Sequence, residues 1–167
     1  MIDIKVPPVI LNLFVSISLY HTFFCPSNLG RRQEFVRKAF AESGYRLILV
    51  SNDDWTDLFD NKYSGIYNSQ KKAIYIRMGY YNSIPHEFGY YIQSVLQNHN
   101  IAADERLKNQ LAKLKFTGDD YFMTSDTEFF AEAFAEYCKN GNRLKESCEA
   151  VYTYIDNALN AFSNLYQ

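Results

Sequence analysis

The sequence predicts an α+β domain. β-rich runs fill its first half and helix-period patterns its second, the order expected when strands and helices segregate. At 167 residues the chain has the length of one domain, so residues 1–167 are expected to form a single unit. No internal repeat, low-complexity segment or linker divides it. A small mixed sheet with a central helix and C-terminal helices is the expected architecture.

Residues 9–20 are apolar, but Asp3 offsets Lys5, Pro7 and Pro8 interrupt the run, and its length falls short of the ~20 residues that span a bilayer. Partial alternation at 11–19 predicts a half-buried strand rather than a targeting or membrane-spanning segment. A loop follows at 25–30. Residues 31–43 read as an amphipathic helix with Phe35, Val36, Phe40 and Ala41 inward and Gly44 as its stop. Residues 45–50 form a short buried strand, and Ser51-Asn52-Asp53-Asp54 is a turn cluster fit to cap a short segment at 55–59. Residues 65–67 and 73–76 are β-rich and joined by polar residues, the pattern of a hairpin. Lying just before the central helix, strand 73–76 is expected to border a cleft as an edge, open to pairing with an extended peptide.

The central helix starts at Pro85, tolerated in a first turn where its missing N–H is not needed. Phe88, Tyr91, Ile92, Val95 and Leu96 share its core face, while His86, Tyr90, Gln93 and Gln97 fall on the other. Further helices are expected at 104–114, with Leu107, Leu111 and Leu114 inward, at 125–139, ended by Asn140-Gly141, and at 143–165. In the third helix from the end of the sheet region, Phe129, Phe130, Ala133, Phe134 and Tyr137 face the core. Glu128, Glu132 and Glu136 line the other side.

Charge and composition exclude some classes. Apolar residues make up 47% and charged residues 22%, an ordinary globular balance, and a net charge of −2 gives no electrostatic case for nucleic acid. The 14 tyrosines and 13 phenylalanines suggest an aromatic core and a substrate groove. Cys25, Cys138 and Cys148 form no Cys-x-x-Cys pair, which excludes a zinc ribbon or a thioredoxin-like motif and leaves the compartment open.

His86-Glu87 with Tyr90 comes one residue short of His-Glu-x-x-His, in which two imidazoles at i and i+4 hold zinc and the Glu activates water. A peptidase zinc needs three protein ligands and an open position, and a carboxylate on a later helix is the usual third. Glu128 is the candidate. Ser125 and Glu128 also fit a capping box that needs no metal. If the central helix runs that far, His99 lies about 20 Å along it from His86, too far to replace a ligand. His21 has no assigned place.

The order His86-Glu87-Phe88-Gly89, then Tyr121, then Glu128-Phe129-Phe130-Ala131-Glu132-Ala133-Phe134 resembles the lethal factor-like zinc metallopeptidases, the family of anthrax lethal factor and the clostridial Pro-Pro endopeptidases. The similarity extends into Arg143-Leu144-Lys145-Glu146-Ser147-Cys148 and Val151-Tyr152-Thr153-Tyr154-Ile155. It covers roughly the second half of the chain, and the first half only as an order of strands and helix. The resemblance implies a zincin-like fold, a zinc cofactor and a peptide or protein substrate. It implies His86 and Glu128 as metal ligands, Glu87 as general base, Tyr121 as hydrogen-bond donor to the oxyanion, and Glu132 as support behind the ligands.

Tyr90 stands where the family has its second His. A phenol with a pKa near ~10 is a poor zinc ligand unless the metal deprotonates it. Three readings stay open: zinc-dependent endopeptidase with Tyr90 as a ligand or another side chain completing the shell, inactive pseudopeptidase serving as a peptide-binding module, and zinc-free domain of a larger toxin or mobile-element system.

Overall fold

A computed structural model describes residues 31–97, 105–114 and 121–166. The strand expected at 11–19, Cys25, His21, His99 and residue 104 lie outside the described residues. The described part is α+β, with six α-helices and a three-stranded mixed sheet.

Helix α1 (Arg31–Glu42) buries Val36, Ala39 and Phe40. Ala41, expected inward, is exposed, because each residue adds about 100° and it lies well round from Val36. Gly44, at a φ of +79°, ends the helix by returning its own N–H to the Ala41 carbonyl at 3.0 Å and that of Tyr45 to Phe40 at 3.1 Å. Strand β1 (Arg46–Val50) follows. Only Leu49 and Val50 are buried in it, since it is an outer strand of the sheet. Ser51 accepts the Asp54 N–H at 3.2 Å and so starts α2 (Asn52–Leu58) ahead of the expected position, with Trp55 buried.

Strands β2 (Gly65–Asn68) and β3 (Ala73–Arg77) form the expected antiparallel hairpin, and β1 pairs with β3 in parallel. The order β1-β3-β2 corrects one expectation: strand 73–76 is central and paired on both sides. Ala73, Ile74 and Ile76 are all fully buried, as befits an interior strand. The edge beside the central helix is β2.

That helix, α3 (Ile84–Leu96), buries Ile84, Phe88, Tyr91, Ile92 and Leu96. Gln93, expected on the polar face, is also buried, and its Nε2 donates to the Asp126 carbonyl at 3.3 Å. Helix α4 (Glu105–Leu114) buries Leu111 and Leu114, with Leu107 partly covered. Helix α5 (Asp126–Ser147) passes through a kink at Asn140, whose φ of −158° and ψ of 79° are not helical. The Asn140 side chain accepts the Arg143 N–H at 3.1 Å and restarts the helix. The expected last helix at 143–165 is therefore divided. Its first residues finish α5, and α6 (Glu149–Asn164) begins after Cys148.

Helices α3 and α5 pack side by side over the core. A Cβ at Gly89 would lie 2.6 Å from the Ala131 Cα, so this contact is backbone against backbone. Cys138 and Cys148 are buried and form no disulfide. Among the described residues no helix is long and apolar enough to cross a membrane.

Candidate active site

Two adjacent residues in the first turn of α3 and two on α5 meet where Gly89 lets the helices touch. The His86 Nδ1–H donates to Glu132 Oε1 at 2.9 Å, and its Nε2 faces Glu128 Oε2 at 3.7 Å. Glu128 and Glu132 are one helical turn apart, so one imidazole addresses both. Ser125 caps α5 through the Glu128 backbone N–H at 3.1 Å, which leaves the Glu128 carboxylate free to face His86. The cap and the site thus use different atoms of Glu128.

Glu128 Oε2 and Glu87 Oε2 are both buried without a hydrogen-bond partner. Such a group costs about 1–3 kcal/mol, and more when charged. Burial lifts the Glu87 pKa from 4.5 to about 7; the field of His86 and a hydrogen bond from the Tyr67 backbone N–H oppose it. Burial also works against a charged His86, but the bond to Glu132 and the fields of Glu87, Glu132 and Glu128 prevail and raise its pKa above 6.5.

Tyr90 sits between His86, edge to face at 4.9 Å, and Tyr67, stacked at 6.4 Å. Its hydroxyl bonds the Glu128 carboxylate, and burial followed by that bond pushes its pKa far above the phenol range. Tyr67 is itself fixed, with its hydroxyl 2.7 Å from Ser94 Oγ and 2.9 Å from the Tyr45 hydroxyl. Tyr121 lies in a short turn before α5 and is 48% exposed. Its pKa is raised by burial, then by the Glu128 field and a hydrogen bond to the same carboxylate.

His86, Glu87, Tyr121 and Glu132 line an open cleft of about 620 Å³, with Tyr63, Tyr80 and Tyr81 around them. Glu128 and Tyr90 do not line it. All six residues singled out in the sequence thus gather in one region. Two others carry the site without a side-chain signal. Tyr67 acts through its backbone N–H, and Gly65 has no room for a Cβ, which would lie 2.6 Å from Glu87 Oε1. A glycine in a strand marks such a close approach, and that rule points to Gly65.

Among the described residues no three His, Cys, Asp or Glu side chains are arranged to hold a metal ion. His86 and Glu128 present two facing donors, and the third side chain at that point is the phenol of Tyr90. No protein-family model matches the chain, and no curated protein matches it significantly.

The buried acid sets a pH dependence. Glu87 has a folded pKa of about 7 against 4.5 ordinarily, so the folded state holds the proton more tightly. Its contribution is full below about 4.5 and declines as pH rises to about 7, a loss of up to about 3 kcal/mol. His86, also raised, contributes fully below 6.5 and loses that contribution as pH rises through its folded value. Both act in one direction. In chelator, the melting temperature is expected to fall from pH 5 to pH 8, with Glu87→Gln flattening the lower part of the curve. A level native profile would contradict the assigned burial of Glu87.

Proposed function

We propose that this chain is a zinc-dependent metalloendopeptidase of zincin-like fold whose metal is weakly held. One observation carries the reading: His86 Nε2 faces the unpartnered Glu128 Oε2 at 3.7 Å while Nδ1 is held by Glu132. A carboxylate behind a ligating imidazole fixes its tautomer and aims the other nitrogen at a metal. The donors fit zinc at two positions, His86 and Glu128, and poorly at the third, Tyr90.

Zinc bound there would polarise a scissile carbonyl and acidify a water. Glu87, next to His86 and at the cleft wall, takes the proton as general base. The Tyr67 N–H and the absent side chain of Gly65 hold the Glu87 carboxylate in place. Tyr121, exposed at the mouth, donates its O–H to the oxygen on which charge develops.

Tyr90 favours a second reading, an inactive module that binds peptides in the same cleft, because its protonated hydroxyl bonds Glu128 where a ligand would stand. Zinc content after purification without chelator, together with cleavage of an unfolded protein substrate, separates the two. Substoichiometric zinc and slow cleavage are expected, with Glu87→Gln abolishing cleavage and leaving zinc bound. Peptide binding with no zinc and no cleavage in the native protein would favour the second reading.

A further inference from the structure

We infer that His86, Glu128 and Tyr90 together form a site that prefers ferric iron to zinc, with Tyr90 as a phenolate ligand. The inference rests on His86 and Glu128 as ligands, as proposed above, and does not require hydrolysis.

The first ground is donor chemistry. Zinc sites are built mainly from imidazole and thiolate, whereas this one offers a carboxylate, a phenol and one imidazole. Phenolate is an anionic oxygen donor that serves ferric iron elsewhere, as the axial ligand of haem in catalase. Neither described thiol competes, since both are buried, and the Cys148 Sγ is engaged with the Gln110 carbonyl at 3.0 Å.

Charge is the second ground. Glu128 and Glu132 flank a single imidazole at 3.7 and 2.9 Å, and Glu128 Oε2 is buried with no hydrogen-bond partner. A trivalent ion offsets this group more fully than a divalent one.

The third ground is aim. The Tyr90 ring is held between His86 and Tyr67, so its hydroxyl is directed at Glu128 by packing. On binding, the phenolic O–H breaks, its proton leaves to solvent and the oxygen bonds the ion, whose charge reverses the local preference for the neutral phenol. Iron stays ferric throughout. Iron in this position competes with zinc, so cleavage is expected only from iron-free protein.

The test uses the whole chain and ferric nitrilotriacetate. Equimolar addition should give a visible phenolate-to-iron charge-transfer band, and resonance Raman excitation within it should show tyrosinate ring modes. Equimolar zinc should not bleach the band. Tyr90→Phe should abolish it and weaken ferric binding by at least the ~10–100-fold that changes behind the ligands cost. Should that variant fail to fold, the Raman spectrum of the native protein still decides whether a phenolate is bound. No band in native protein that binds zinc calorimetrically would overturn the inference and leave the zinc reading standing. Failure to bind either metal would overturn both. A band that survives Tyr90→Phe and disappears in Tyr121→Phe would overturn the role given to Tyr90.

Discussion

Tyr90→His is expected to raise zinc affinity by at least one order of magnitude. The i+4 position puts residue 90 beside His86 whatever its chemistry, and the two rings are already 4.9 Å apart. Burial and Glu128 keep the native phenol protonated, whereas a neutral imidazole at the same place has a lone pair to offer. Changes behind the ligands alone alter metal affinity ~10–100-fold, so restoring a ligand should do at least as much. The gain also appears as stability: with zinc at 100 times its dissociation constant, ligand linkage contributes about 2.7 kcal/mol. Calorimetric titration and thermal melts of both proteins with and without zinc measure it. Tight stoichiometric zinc in the native protein would show Tyr90 to be an adequate ligand. Equal weakness in both would show that the defect extends beyond this residue.

Gly89→Ala is expected to be strongly destabilising. Helix propensity alone favours it, because alanine is better than glycine inside a helix by about 1 kcal/mol. The new Cβ would stand 2.6 Å from the Ala131 Cα and 3.2 Å from its carbonyl oxygen. Backbone cannot rotate aside as a side chain can, so α3 and α5 must separate. Overpacking typically costs ~1–3 kcal/mol, and here a loss at or above the top of that range should outweigh the propensity gain. Urea denaturation gives the figure, and metal titration should weaken in parallel, since His86 and Glu128 stand on the two separated helices. A neutral or stabilised Gly89→Ala would mean that the helices yield more easily than their contact implies.

Periodicity carried much of this fold. The apolar faces of α3 and α5 were legible because Phe88, Tyr91 and Ile92, and Phe129, Ala133 and Phe134, repeat at helical spacing and are all buried. Strand β3 is central although it lies just before the helix, and its composition carries that place better than its position does. Ala73, Ile74 and Ile76 carry apolar groups to both faces, which only a covered strand can bury. The break at Asn140-Gly141 was visible, but not that the chain resumes as the same helix, because the Asn140 cap depends on the next turn being close. The convergence of His86, Glu87, Tyr121 and Glu128 was expected from the family resemblance, supported by the core faces of the two helices. Tyr67 was not, since a backbone N–H is common to nearly every residue type. Gly89 stood inside the motif with no role assigned, although an interior helix glycine needs a packing reason.

The mixed sheet also orders the assembly of the cleft in time. Strand β2 meets β3 across a short turn, and α3 follows directly, so Gly65, Tyr67, His86 and Glu87 come together from neighbouring stretches of chain. Glu128 and Glu132 arrive only when α5, far along the sequence, docks on α3. Contacts between near neighbours form sooner than distant ones, because closing a longer loop costs more chain entropy. The half of the cleft that holds His86 and Glu87 is thus a local unit in the sequence, and the carboxylates that face His86 are a late addition. An ion that needs both halves cannot guide the early steps of folding and is captured only by the finished domain.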